Sequence, residues 1–208
     1  DPFEMGFVGF GPLLLYFTLW LYHQARKRKI QHLLFLAREG YLLQELFRIV
    51  EDALGAAGIR QTYLLCSRRA TSVPSLRNER DILELLEAPY EGSLENLILS
   101  RFGIHCSAST ASRASSRPAE TVRLPDDRNA ISALLLREKN RIFANAEEER
   151  STYLQYLKKN DVLKSGSCAV VDIGFSGTIQ KYLARLSGRN LEGFYFVTSA
   201  RAKSQPLA

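Results

Sequence analysis

Asp172, Ser176, Gly177 and Thr178 follow an apolar run closely, and their types suit a phosphorylated sugar. Glycines let an anion approach the backbone, and the N–H groups of a following helix meet it with the positive end of their dipole. A carboxylate would repel the phosphate, so Asp172 suits sugar hydroxyls or a metal better. Gly174 lies in the same stretch. Two further sets could meet anions: Arg38-Glu39-Gly40, and Ser67-Arg68-Arg69. Consecutive side chains diverge, so only one of Arg68 and Arg69 could reach a site. Each residue also has a structural reading. Asp172, Ser176 and Thr178 could cap a helix, and Arg38 could be a loop arginine paired with Glu39.

Elements of the right kind surround these residues. Cys168 to Val171 reads as a buried strand, and Asp172 as the start of a turn. Beyond it Ile179, Tyr182, Leu183 and Leu186 recur at helical spacing, with Gln180, Lys181 and Arg185 on the other face. His32 to Ala37 reads as a strand and Tyr41 to Val50 as a helix with Leu42, Leu43, Leu46, Phe47 and Val50 inward. Arg38 then sits at the carboxyl end of a strand, where ligands bind in open α/β sheets. Thr62 to Cys66 and Gly193 to Ser199 read as further strands.

The remaining segments interrupt this alternation. Met5 to Tyr22 is nearly all apolar, which raises the question of a membrane span, but Gly6, Gly9, Gly11 and Pro12 break the run. About eleven apolar positions follow Pro12, short of the roughly 20 a span needs. The expectation is a core helix starting at Gly11-Pro12 and ending in Arg26-Lys27-Arg28-Lys29, which could also touch anionic headgroups. Asp81 to Glu87 and Leu94 to Phe102 read as short helices of a cap or insertion. Cys106 to Asp127, with Arg113, Arg117 and Arg123, reads as an exposed loop, either a basic flap or a solvated linker. Asn129 to Leu157 reads as one or two helices, with Ile131, Leu134, Leu135, Ile142 and Phe143 inward and Glu147 to Arg150 solvated. No internal repeat is present, and a chain that stops just after a core strand looks like part of a longer protein.

The expected fold is therefore α/β, a mainly parallel sheet flanked by helices with Rossmann-like winding and a helical insertion at about 78–160. One domain is the default for 208 residues. The 28 Lys+Arg against 22 Asp+Glu give +6. That charge suits anionic ligands without separating nucleic acid, phosphosugars and anionic lipid. Cys66, Cys106 and Cys168 lack zinc-ligand spacing, and reduced buried thiols at Cys66 and Cys168 suggest an intracellular protein.

Known phosphate motifs narrow the choice. GxxxxGK(S/T) and GxGxxG are both absent. DIGFSGT resembles the phosphate motif of sugar kinases, actins and chaperone ATPases in its letters, but there it lies early and between two strands. VVDIGFSGT is closer in layout to the phosphoribosyl pyrophosphate loop of type I phosphoribosyltransferases, with the usual acidic pair reduced to Asp172. FLAREGYLL is placed like that fold's pyrophosphate loop. Together GPLLLYFTLWL, FLAREGYLL, CSRRA and VVDIGFSGTIQ, spanning about Gly11 to Leu186, resemble a bacterial polysaccharide-assembly family often fused to or beside a haloacid-dehalogenase-type phosphatase.

That resemblance implies a phosphoribosyltransferase-like fold and a glycan phosphoribosyltransferase. The enzyme would move ribose 5-phosphate from phosphoribosyl pyrophosphate (PRPP) to a hydroxyl of a growing, lipid-linked glycan in the bacterial cytoplasm, at the inner face of the membrane. A phosphatase partner would remove the 5-phosphate, since the chain has no DxDx(T/V) motif. No nucleic-acid partner is implied. Gly174, Ser176, Gly177 and Thr178 would hold the 5-phosphate and Asp172 the ribose hydroxyls. Arg38, with Glu39 and Gly40, would meet the pyrophosphate, helped by Arg68 or Arg69. Mg²⁺ would ride on the pyrophosphate rather than in a protein metal site, and Glu39 or Asp172 would serve as base.

Overall fold

An apolar strand buried on both faces needs cover from both sides, and the chain supplies helices before and after each such strand. A computed structural model describes residues 1–56, 58–105, 121–164 and 166–198. Cys106, Arg113 and Arg117 lie outside them. In order, the elements are α1 (Pro2–Lys27), β1 (His32–Leu36), α2 (Gly40–Leu54), β2 (Arg60–Leu64), α3 (Arg68–Ser75), α4 (Glu79–Glu84), β3 (Tyr90–Gly92), α5 (Leu94–Phe102) and β4 (Val122–Leu124). There follow α6 (Arg128–Arg137), α7 (Lys139–Lys159), β5 (Cys168–Phe175), α8 (Thr178–Ser187) and β6 (Glu192–Thr198). The chain divides into two compact units, one of residues 1–67 and 157–208 and the other of 68–156.

The first unit is α/β. Its four strands are all parallel, in the order β2-β1-β5-β6, with Phe35 opposite both Tyr63 and Val171 and Asp172 opposite Tyr195. Strand residues alternate between faces. Leu33 and Phe35, Ala169 and Val171, and Phe194 meet Phe17, Leu21 and Tyr22 of α1 and Leu43, Phe47 and Val50 of α2 in one core. Tyr195 points to the opposite face and bonds Gln180 of α8 there. The sheet thus carries helices on both faces, compatible with Rossmann-like winding.

The second unit is mainly helical. Its core joins Val73, Ile82, Leu97, Phe102, Ile131 and Ile142 among others. It contains a short antiparallel pair, β3 with β4. Arg150 is buried here and donates Nε to Pro74 O at 2.7 Å, with a second bond to Leu76 O.

Several expectations change. The helix expected from Gly11-Pro12 begins at Pro2 and runs through that pair: Met5–Phe10 is a π-helix, and Pro12 falls in the first turn of the α-helical part that follows, where its missing N–H costs little. Among the described residues one helix, Pro2–Lys27, is therefore long and apolar enough to cross a membrane. Val122–Leu124, expected in a loop, is a strand, with Arg123 paired to Glu91. Arg150 was expected in solvent but satisfies two carbonyls in the core. Leu42 is exposed, and Gln44 is buried in its place. Arg137 ends one helix and Lys139 begins the next, so Asn129 to Leu157 holds two helices.

Candidate functional site

β1 leads through α2 to β2 on one side of it, whereas β5 lies on its other side. The order reverses between β1 and β5. At such a switch point the loops leaving two adjacent parallel strands turn to opposite sides of the sheet and leave a crevice at its carboxyl edge. Phe35 pairs with Val171, so the segments after Leu36 and those around Asp172 emerge side by side, on strands about 4.8 Å apart. Arg38-Glu39-Gly40 and Asp172 to Thr178, widely separated in sequence, thus follow adjacent parallel strands at the same edge of the sheet, with β5 running on to Phe175.

The first loop is short. The Ala37–Arg38 peptide is cis. Arg38 and Glu39 are exposed, and the Glu39 carboxylate accepts from the backbone N–H of Arg38 at 3.3 Å. Among the described residues the Arg38 guanidinium makes no ion pair, so the alternative reading of an Arg38–Glu39 side-chain pair is not met. Gly40 opens α2 and is buried. A Cβ there would stand 2.7 Å from the Phe35 carbonyl carbon, so only glycine lets the helix start this close to the strand.

The second loop differs from the expected turn. β5 continues to Phe175, so Asp172 and Gly174 are strand residues paired with Tyr195 and Val197. The turn itself contains only Ser176 and Gly177. Gly177 has φ +67, the left-handed region, and no side chain caps α8 behind it. Ser176 and Thr178 were alternatively read as caps. Instead their hydroxyls bond each other at 2.7 Å. The free amides of the first turn of α8 and these two hydroxyls form an anion-accepting cradle.

Three site residues escaped the sequence reading. Cys66 lies beyond the end of β2, half-buried, rather than inside a strand. Burial pushes its thiol up to about 11; a backbone hydrogen bond at Ala37 opposes this, and the Asp172 charge adds to it. Tyr195 donates to Gln180 Oε1 at 2.8 Å, and Gln180 Nε2 donates to Leu191 O at 2.6 Å. Burial, then Asp172, pushes the Tyr195 phenol up. Gln180 was expected on the polar face of its helix but is buried. The odd-position alternation of GFYFVTS was the only signal that Tyr195 would face away from Phe194 and Phe196.

Arg68 and Arg69 both belong to α3, in the second unit. Arg69 is engaged by Glu149, at 2.6 and 3.2 Å.

At the amino ends of the strands lies a cavity of about 180 Å³. Its cations are already used: Arg60 pairs with Asp161, and Arg189 binds the carbonyls of Val162, Lys164 and Gly166. His32 there contacts Thr62 Oγ1 at 2.8 Å.

No protein-family profile matches the chain, and no curated protein sequence matches it significantly. The segments at the carboxyl edge carry an exposed cation, Arg38, a carboxylate, Asp172, and the hydroxyls and amides of the turn that opens α8.

Proposed function

We propose that the protein is a glycan phosphoribosyltransferase of phosphoribosyltransferase-like fold, acting in the bacterial cytoplasm. It transfers ribose 5-phosphate from PRPP to a hydroxyl of a growing polysaccharide and releases pyrophosphate. What supports this reading is that Arg38 and the Ser176 to Thr178 turn follow two adjacent parallel strands, β1 and β5, at one switch point, with Asp172 near the end of β5. The glycan acceptor rests on the resemblance of the four sequence segments.

In this reading the amides opening α8, with the Ser176 and Thr178 hydroxyls, hold the 5-phosphate. Asp172 accepts hydrogen bonds from the ribose hydroxyls and stabilises positive charge as it grows on the ring. Arg38 and the amides of Glu39 and Gly40 hold the pyrophosphate, whose bond to C1 breaks as the acceptor oxygen attacks. The electron pair of that bond leaves with pyrophosphate, and the acceptor proton passes to a carboxylate, Glu39 or Asp172. Attack opposite the leaving group converts the α-donor into a β-ribofuranoside. The 5-phosphate remains for a separate phosphatase.

Among the described residues no group of three or more His, Cys, Asp or Glu gathers to hold a metal. One or two carboxylates plus phosphate oxygens are what Mg²⁺ commonly takes, so an ion bound with the donor fits this edge. Bound there, Mg²⁺ supplies neutralisation of pyrophosphate charge.

The test is thermal stability and pyrophosphate release with PRPP, Mg²⁺ and a lipid-linked glycan acceptor. A raised melting temperature and acceptor-dependent release are expected. No shift at millimolar donor overturns the reading. Protection by ATP alone, or release with a nucleobase acceptor, assigns a different phosphate enzyme.

A further inference from the structure

α1 has two different halves. From Phe17 onward it buries Phe17, Thr18, Leu21, Tyr22 and Ala25. Before that, every residue from Asp1 to Tyr16 is exposed except Leu14, which is partly buried. The exposed half is almost wholly apolar. Phe3 is 76% exposed, Phe7 73% and Tyr16 75%, and Met5, Val8, Phe10, Leu13 and Leu15 are exposed as well. Glu4 is the only charged residue from Phe3 to Tyr16, near the far end of that segment.

The distribution around the helix identifies the occupant. These side chains fall on all sides, not in one stripe. A helix apolar all round belongs inside an apolar medium, whereas a helix docking on a protein needs only one apolar face. A second copy would cover one stripe and leave the rest in water. A lipid phase covers the whole circumference, as the core of a larger protein also would, and the order of residues along the helix separates the two.

The order along the helix agrees. The apolar part, Phe3 to Tyr16, is at most about 21 Å long at ~1.5 Å per residue, less where Met5–Phe10 is π-helical, enough to reach the middle of a ~30 Å hydrocarbon core. Next come Tyr16 and Trp20, aromatic residues of the kind that collect at headgroup level. Trp20 packs one side on the Phe17 and Phe194 rings and remains 38% exposed. Last comes the cationic run Arg26, Lys27, Arg28 and Lys29, all exposed at the surface. Arg28 pairs with Glu192 at 2.8 Å, while Lys27 and Lys29 form no ion pair among the described residues. Apolar, aromatic and cationic zones thus follow the order hydrocarbon, interface and anionic headgroup.

We infer that the Phe3 to Tyr16 half of α1 inserts into an anionic lipid bilayer, with Trp20 at the interface and Lys27 and Lys29 toward the headgroups. The inference does not depend on the reaction assigned to the sheet edge.

Trp20 is the only tryptophan, so it reports its own depth. The full chain would be mixed with phosphatidylcholine vesicles, with and without phosphatidylglycerol, and followed by flotation and Trp20 emission. Flotation, a blue-shifted emission and quenching by lipids brominated near the headgroup are expected. The double variant Phe7→Glu/Phe10→Glu replaces exposed residues, so circular dichroism stays unchanged while flotation is lost. Lys27→Gln and Lys29→Gln each weaken binding about fivefold, and only when phosphatidylglycerol is present. No flotation, flotation unaffected by the double variant, or a dimer that persists with vesicles while Trp20 stays unquenched would overturn the inference; the last result assigns this half of α1 to a second copy.

Discussion

Asp172 and Tyr195 are register partners across β5 and β6, both on the sheet face opposite the α1–α2 core. The phenol is committed as a donor to Gln180, so it cannot neutralise Asp172 by giving up its own proton. The carboxylate instead imposes its charge on what surrounds it. It pushes up both the Tyr195 phenol and the Cys66 thiol, behind burial as the larger cause.

Asp172→Asn therefore has two expected effects. Removing the charge lowers the Cys66 thiol from about 11, while burial keeps it above the ordinary range. Alkylation of Cys66, located by peptide mass spectrometry across a pH series, should accelerate at a given alkaline pH. Donor turnover should fall about 100-fold or more, as for loss of a general base or a charge stabiliser at the reacting centre. Faster alkylation with unchanged turnover would leave Asp172 in contact with Cys66 but remove it from the chemistry.

Arg38→Ala separates binding from stability. Its side chain is exposed and makes no ion pair among the described residues, so the melting temperature without ligand should stay within the effect of about 0.5 kcal/mol expected of a surface change. PRPP affinity, measured by calorimetry with Mg²⁺, should drop about tenfold to a hundredfold, matching loss of charge-assisted hydrogen bonds worth about 1.5–3 kcal/mol. Arg38→Lys keeps the charge but not the planar fork and should fall between the two.

Gly40 and Gly177 should respond to alanine for different reasons. At Gly40 the added Cβ meets backbone of Phe35 at 2.7 Å, and β1 and α2 must move apart. Overpacking of this kind costs about 1–3 kcal/mol, seen as a lower denaturant midpoint. At Gly177 the nearest atoms, Gln180 Oε1 and Tyr195 Oη, are 3.6 Å away, so space is sufficient and the cost is the left-handed backbone, about 1–2 kcal/mol. If the turn relaxes to avoid that cost, the cradle opens. Gly177→Ala should thus lose PRPP affinity beyond its loss of stability, whereas Gly40→Ala affects chiefly stability.

The strands that build this edge were legible because apolar runs such as HLLFL and CAVV have few alternatives to a buried parallel sheet. The place of Arg38 just past the carboxyl end of a strand also followed from strand-to-helix order. The depth of the second loop did not. DIGF looks like a turn by composition, yet β6 offers it a partner strand, and the ladder carries through Gly174 to Phe175. Pairing overrode local propensity. The start of α1 was misplaced for a related reason: Gly6, Gly9 and Gly11 weaken a helix locally, but a π-turn absorbs them. Arg150 stayed hidden because a charged side chain in a polar run gives no sign that two carbonyls, of Pro74 and Leu76, need donors.

The opposite end of the sheet supplies a prediction independent of the site. His32 is buried at the start of β1, and burial, then the Arg60 charge, lowers its pKa from 6.5 to about 4. The folded protein therefore binds fewer protons here than the unfolded chain between those two values. Stability from this group is complete above about pH 6.5, falls as pH drops toward about 4, and falls no further below that. The full effect is roughly 3 kcal/mol, at about 1.4 kcal/mol per pH unit. His32→Gln keeps a hydrogen-bonding group for Thr62 Oγ1 but cannot protonate. Denaturant unfolding at a series of pH values should show the wild-type slope between pH 6.5 and 4 flattened in this variant, with PRPP turnover at neutral pH unchanged. An equally steep slope in His32→Gln would place the acid sensitivity on other groups.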